Sequence, residues 1–177
     1  MSAKNVRELV VKAVGRVIAS GGLANMTIDA VSKEAGISKG GVLHYFFTKQ
    51  DLLLSVLDDF VRWFYKRRDA IAATLPDKKN RMLKATVMAM VENLNRTLEK
   101  GLNLATVLDD PALSKGVAEF KKTVLKEVGR GYPTEKVALV MYIVDGLWLD
   151  DRFTPSVVSK KTRNAVIKDL LAIIDAM

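Results

Sequence analysis

The chain has 177 residues, 49% of them hydrophobic, with 28 Lys and Arg against 20 Asp and Glu for a formal net charge of +8. That is enough apolar material for one compact domain or a small domain joined to a larger one, and the basic surplus favours a polyanionic partner, nucleic acid or an anionic membrane surface. With no cysteine there is no disulfide, thiolate metal site or cysteine nucleophile.

In chain order, Val6, Leu9, Val10, Ala13, Val14, Val17 and Ile18 fall on one helix face, and Gly21-Gly22 ends that helix. Thr27 is placed to cap a short helix through Ala35, with Asp29 in its first turn, where a carboxylate suits the macrodipole. Gly36-Ile37-Ser38 interrupts, and Ser38 caps a second short helix expected to reach about Tyr45. Thr48-Lys49-Gln50-Asp51 reads as a capping-box variant opening a long helix to about Ala73, with Leu52, Leu53, Val56, Leu57, Phe60, Val61 and Phe64 on one side. Pro76 and Asp77-Lys78-Lys79 break the pattern. A helix carrying Met82, Leu83, Val87, Met90, Val91, Leu94 and Leu98 precedes Gly101, and a shorter element spans Leu102 to Leu108. Val117, Phe120, Val124 and Val128 mark the next helix, closed by Gly129 to Pro133. Thr134 to about Leu149 is strongly apolar, and a last helix runs from about Ser156 to Ala176 with Val158, Val166, Ile167, Leu170, Leu171 and Ile174 inward. No strand pattern competes. The expected fold is all-α, about nine helices, with a three-helix domain over residues 1–47 and a helical domain over 48–177.

The charge is uneven: seven basic side chains stand against three acidic ones in the first fifty residues, so half the surplus lies there. Helices of nine or so residues are marginal alone. The pair around Gly36 is therefore expected to be held by Ile28, Val31, Ala35, Ile37 and Val42 packing on the first helix, with Gly36 supplying positive φ at a tight αα corner. The outer side of Lys39 to Phe46 then stays exposed, and its composition suits stability poorly. Gly40 and Gly41 each cost about 0.8–1 kcal/mol relative to Ala, and Lys39 sits where the macrodipole disfavours a cation. In a DNA major groove the same features serve: glycine admits base edges, and lysine reaches guanine O6/N7 or phosphate. His44, Tyr45 and Lys49, with the hydroxyls of Thr27, Ser38 and Thr48, would flank it as phosphate donors. Gly-rich corners with a lone lysine also occur as plain structure, so spacing leaves both readings open.

Thr27 to Phe46, followed by Thr48-Lys49-Gln50-Asp51-Leu52-Leu53, resembles the DNA-binding domain of the tetracycline-repressor (TetR) family. The Ala-Gly-Ile-Ser-Lys-Gly turn, the Tyr-Phe end and the downstream Lys-x-x-Leu fall in register over about the first 60 residues. The resemblance implies an all-helical homodimer, commonly a repressor, binding a double-stranded DNA operator and released by a small-molecule effector in its C-terminal domain. It implies further that Lys39 and Gly40 approach bases while Thr27, Ser38, His44, Tyr45 and Lys49 hold phosphates. Ser32 replaces the family's usual Ala, and Leu43 stands where many members carry a phosphate-contacting Tyr, a contact not carried over.

Val137 to Val144 is apolar on every face, which predicts burial on two sides, one against the domain and one against a second subunit. Val140, Val144 and Trp148, with Val166, Leu170 and Ile174 of the last helix, are the expected dimer interface. Trp63, Met88, Met90, Phe120 and Tyr142, with Asp109 and Asp145 as polar members, are the candidate effector pocket; Met82, Phe64 and Trp148 belong to the same apolar set. Asp145, on an otherwise apolar helix, demands a partner: an interfacial lysine or arginine, a capped backbone, or a cationic effector.

The single histidine, His44, argues against a catalytic triad or multi-histidine metal site, and adjacent carboxylates such as Asp58-Asp59 diverge on a helix. No enzyme activity, metal or cofactor is therefore expected. The N-terminus lacks a signal peptide's apolar core, and Val137–Val144 is too short for a bilayer, which points to a cytoplasmic protein away from the membrane. Two alternatives remain: a helical ligand-binding or protein-interaction module without sequence-specific DNA recognition, and a peripheral membrane binder using Arg62, Lys66, Arg67 and Arg68.

Overall fold

The computed structural model describes residues 3–76, 79–100, 110–153 and 157–177, with the side chains of 3, 4, 94–100 and 151–153 set aside. Among them are eight helices and no strand: α1 (Ala3–Gly21), α2 (Ile28–Ala35), α3 (Lys39–Leu43), α4 (Lys49–Thr74), α5 (Arg81–Lys100), α6 (Pro111–Val128), α7 (Thr134–Phe153) and α8 (Lys160–Asp175). The short element expected at Leu102–Leu108 lies outside the described residues. The chain forms two compact units, Met1–Arg62 with Arg96–Phe120, and Trp63–Asn95 with Lys121–Met177.

The first unit is punctuated as its sequence dictates. Thr27 Oγ1 accepts from the Ala30 N–H at 3.1 Å, and Gly36, in the left-handed region at φ 64°, closes α2 by donating to Lys33 O. Ser38 Oγ accepts from the Gly41 N–H at 3.1 Å to open α3. α3 stops at Leu43, short of the expected Tyr45. Its last turn tightens, with the Tyr45 and Phe46 N–H groups both reaching Val42 O at 3.0 Å, and Phe46 swings inward to 1% exposure. Thr48 and Asp51 then form the reciprocal box, Asp51 N–H to Thr48 Oγ1 at 3.1 Å and Thr48 N–H to Asp51 Oδ2 at 2.9 Å.

The core of this unit joins Val10, Val14 and Ile18 of α1 to Met26, Val31, Val42, Phe46, Leu52 and Leu53. Leu113 of α6 is buried in the same cluster, and Val117 packs against it. Asp110 caps α6, its Oδ1 accepting from the Leu113 N–H at 2.9 Å and from Gln50 Nε2 at 3.0 Å, with Pro111 at the first helical position. Gly116 permits the close approach of α6 to α4, since a Cβ there would come within 2.5 Å of Leu57 Cδ2.

The second unit buries Phe64, Ile71 and Ala72 of α4, Leu83, Ala85, Val87 and Ala89 of α5, Val137, Val140, Met141 and Val144 of α7, and Leu170 and Ile174 of α8. Buried Asn80 donates to Ile174 O at 2.7 Å and accepts from the Tyr132 hydroxyl at 2.9 Å. The largely buried Arg68 guanidinium meets Glu127 at 2.6 Å and Asp69 at 3.0 Å and lies 4.6 Å from the Tyr65 ring centre. Burial there pushes the Tyr65 phenol up, and the Glu127 charge adds to it. α8 begins at Lys160 behind the Ser159 cap, later than expected, leaving Val158 outside the helix and 41% exposed.

Candidate nucleic-acid interface

All eight nominated DNA-facing residues lie in the first unit, at the starts of α2, α3 and α4 and the end of α3. Lys39, the first residue of α3, places its ammonium 2.9 and 3.0 Å from the two carboxylate oxygens of Asp29 in the first turn of α2. This pair brings the start of α2, with Thr27, beside the start of α3, with Ser38 and Gly40. The two glycines differ in what they do. A Cβ on Gly41 would lie 2.7 Å from Ile37 Cγ2 and 3.2 Å from Ser38 Oγ, so a larger residue there would push against the Ile37 side chain and the capping hydroxyl. A Cβ on Gly40 would meet nothing within 4 Å. Internal packing therefore explains Gly41 and leaves the outward-facing Gly40 unexplained.

The hydroxyl oxygens of Thr27, Ser38 and Thr48 each spend an acceptor position on a helix cap, which leaves their O–H groups as donors for a phosphate. Exposed Lys49 donates to Leu23 O at 3.1 Å, tying the start of α4 to the α1–α2 loop and keeping further N–H donors outward. His44 is exposed and meets half-buried Tyr45 edge-on, ring centres 4.9 Å apart. Two other head cations are engaged within the chain, though exposed: Arg7 sits 5.0 Å over the Phe46 ring, and Arg16 pairs with Glu34 at 2.5 Å.

The candidate effector residues do not form one set. Trp63, Met88 and Met90 are half-buried in the second unit, whereas Phe120 belongs to the first, edge-on to Phe60 at 5.2 Å. Tyr142 is 73% exposed on the outside of α7, so it lines no enclosed pocket, and Asp109 lies outside the described residues. Asp145 finds its partner within the chain, Lys121 Nζ at 2.6 Å. The interface candidates divide likewise. Val140, Val144, Leu170 and Ile174 are buried within the chain's own core and have no surface left to offer a second subunit. Trp148 is half-buried, and Val166 is exposed. α7 instead turns Leu139, Tyr142 and Leu149 outward, and α8 turns Val166 and Ile173 outward.

Comparison with known proteins decides the family. Residues 80–175, more than half the chain, match the tetracyclin repressor-like C-terminal domain, and residues 10–56 match the bacterial regulatory proteins of the tetR family. The chain belongs to the tetracycline-repressor family. As a TetR-family member it is a DNA-binding transcriptional regulator. The HTH-type transcriptional regulator BetI of Cronobacter sakazakii is 29% identical over 144 residues, spanning 72% of this chain and 70% of that protein. A TetR-family structure from Streptomyces coelicolor superposes with a TM-score of 0.73 at 24% identity, over 93% of this chain and 97% of that one. The multidrug binding protein EbrR, solved with malachite green, gives a TM-score of 0.73 at 21% identity, over 93% and 96%.

Three residues of this TetR-family chain escaped the sequence reading. Asp110 precedes Pro111 in an Asp-Pro pair, a helix-start signal that could have marked it, but its tie to Gln50, sixty positions away, has no local signal. Gly116 carries no local turn signal, because its reason is Leu57 on another helix. Thr86, on the same α5 face as Leu83, Val87 and Met90, is fully buried with no hydrogen-bond partner for its hydroxyl among the described residues. A buried hydroxyl left unpaired costs about 1–3 kcal/mol, a sign found only after burial is known.

Proposed function

We propose that this regulator is a homodimeric repressor. It places two copies of α3 in successive major grooves of a palindromic operator and leaves when a small molecule binds in the helical part. The observation that carries the reading is Gly40. It lies in the first turn of a solvent-facing helix beside Lys39, carries the helix-propensity cost of glycine, and has no internal contact that requires it. Lys39 and Gly40 meet base edges, and Thr27, Ser38, His44, Tyr45, Thr48 and Lys49 hold the flanking phosphates.

In this reading residues 1–47, joined by Thr48 and Lys49 at the start of α4, carry DNA contact, and the remainder of 48–177 carries dimerisation and the effector response. The second subunit covers the outward stripe of Leu139, Tyr142 and Leu149 with Val166 and Ile173. The effector site is built from Trp63 and Met90, with the Thr86 hydroxyl as a polar anchor, while Met88 lies on the opposite face of α5. EbrR, which shares the fold, is solved with malachite green, and an effector of that aromatic kind would suit Trp63. The lone histidine sits on the DNA-facing segment, and the reading assigns a change of occupancy rather than a chemical step. It works in the cytoplasm, where its operator is. No helix of the described residues is long and apolar enough to cross a membrane.

Selection of bound sequences from random or genomic DNA tests the proposal. A palindrome with half-site centres about one helical turn or modestly more apart is expected. Enrichment no better than that of random duplex refutes it.

A further inference from the structure

The Lys39 ammonium lies across both oxygens of the Asp29 carboxylate, at 2.9 and 3.0 Å, although both side chains are more than half exposed. An exposed pair of this kind contributes little to stability. Asp29 is already well placed at the positive end of α2, whereas Lys39 gains nothing from the start of α3. Lys39 is also the one Lys or Arg between Gly36 and Thr48. A carboxylate therefore neutralises the single permanent cation of the reading segment, on a surface that must approach phosphates.

We propose that Asp29 is a specificity-determining positioning residue: it restrains Lys39 and thereby sets the ratio of operator to random-duplex affinity. This rests on the reading that Lys39 meets DNA. On random duplex, the paired ammonium is withheld from nearby phosphates, and the carboxylate repels them. In the cognate groove, guanine O6 and N7 take two of the ammonium's three donors and the third stays on one Asp29 oxygen, so Lys39 reads the base while Asp29 fixes its direction.

The test uses the full chain with the selected operator and a random duplex of equal length. Asp29→Asn should bind random duplex about two- to five-fold tighter per protomer, with operator affinity nearly unchanged, so that the specificity ratio falls. Its random-duplex salt slope should steepen by about one unit per protomer. Asp29→Glu, which keeps the charge, should restore the parent ratio, and circular dichroism should show all variants folded. An unchanged ratio and slope in Asp29→Asn overturns the proposal. So does a gain that persists undiminished in a Lys39→Ala background, because Asp29 would then act as a plain surface charge. If Lys39→Ala itself binds operator and random duplex like the parent, Lys39 does not meet DNA and the underlying reading falls with the proposal. Loss in Lys39→Ala with no effect of Asp29→Asn removes the restraint alone.

Discussion

Replacing Lys49 by alanine separates a phosphate clamp from a base reader. Its ammonium sits 3.1 Å from Leu23 O at an exposed loop, so the fold loses one hydrogen bond, worth about 0.5–1.5 kcal/mol. On DNA the effect is larger and has a distinctive form. Each neutralised phosphate contributes about 0.9 to the slope of log K against log salt, and a dimer carries two copies, so Lys49→Ala should shallow the slope by about 1.8. Between about 50 and 200 mM salt, a four-fold change, the parent should lose about 12-fold more affinity than the variant. Fluorescence anisotropy titrations at several salt concentrations, with operator and with random duplex, read this directly. The loss should be equal on both DNAs, since a lysine on phosphate carries no sequence information. Parallel salt lines for parent and variant, or a loss confined to operator, would refute the assignment.

Lys39→Ala should instead flatten base preference, with the about 1–3 kcal/mol penalty for the wrong base shrinking at one half-site position in competition binding. Phe46 and Phe47 are neighbours of opposite burial, 1% against 78% exposed. Phe46→Ala should cost about 3–5 kcal/mol in urea unfolding and Phe47→Ala close to nothing; equal costs would contradict the packing described. The Leu113 N–H, opposed by burial and helped by Gln50, holds the Asp110 carboxyl below its ordinary 3.8. Asp110 therefore stabilises above that value and loses its contribution as pH falls through and below it. Asp110→Ala should cost about 1 kcal/mol at neutral pH, and its deficit should narrow in unfolding curves taken below pH 3.8. For assembly, Tyr142→Glu should lower the mass measured by light scattering while leaving the fold intact; an unchanged dimer would move the interface elsewhere.

Local chemistry was legible from the sequence because it acts over three or four residues. Thr27, Ser38 and the Thr48/Asp51 box cap as their spacing indicates, and Gly36 takes the positive φ that its place required. What failed depends on partners far away along the chain. α7 is apolar all round, and nothing local says which side its own core takes; Val140 and Val144 went inward and Tyr142 outward. Asp145 demanded a partner, but Lys121 is separated from it by the end of α6, a turn and the first half of α7. At the DNA-facing turn the sequence treated Gly40 and Gly41 as equivalent, and only the position of Ile37 tells them apart. The Asp29–Lys39 pair joins two helix starts ten residues apart, across a corner whose geometry had to be built before the contact existed.

Leu113, Gly116 and the Asp110–Gln50 bond place part of α6 inside the same compact unit as α1 to α3. Anyone building chimaeras to exchange operator preference between relatives inherits this arrangement. A graft that ends at the start of α4 would set a foreign head against the native Leu113 of α6, and one that ends beyond position 57 would set a foreign residue there against the native Gly116. A transferable reading head is therefore discontinuous in sequence. It carries residues 110–120 along with the first sixty, and a matched side chain at position 57 whenever position 116 is kept as glycine.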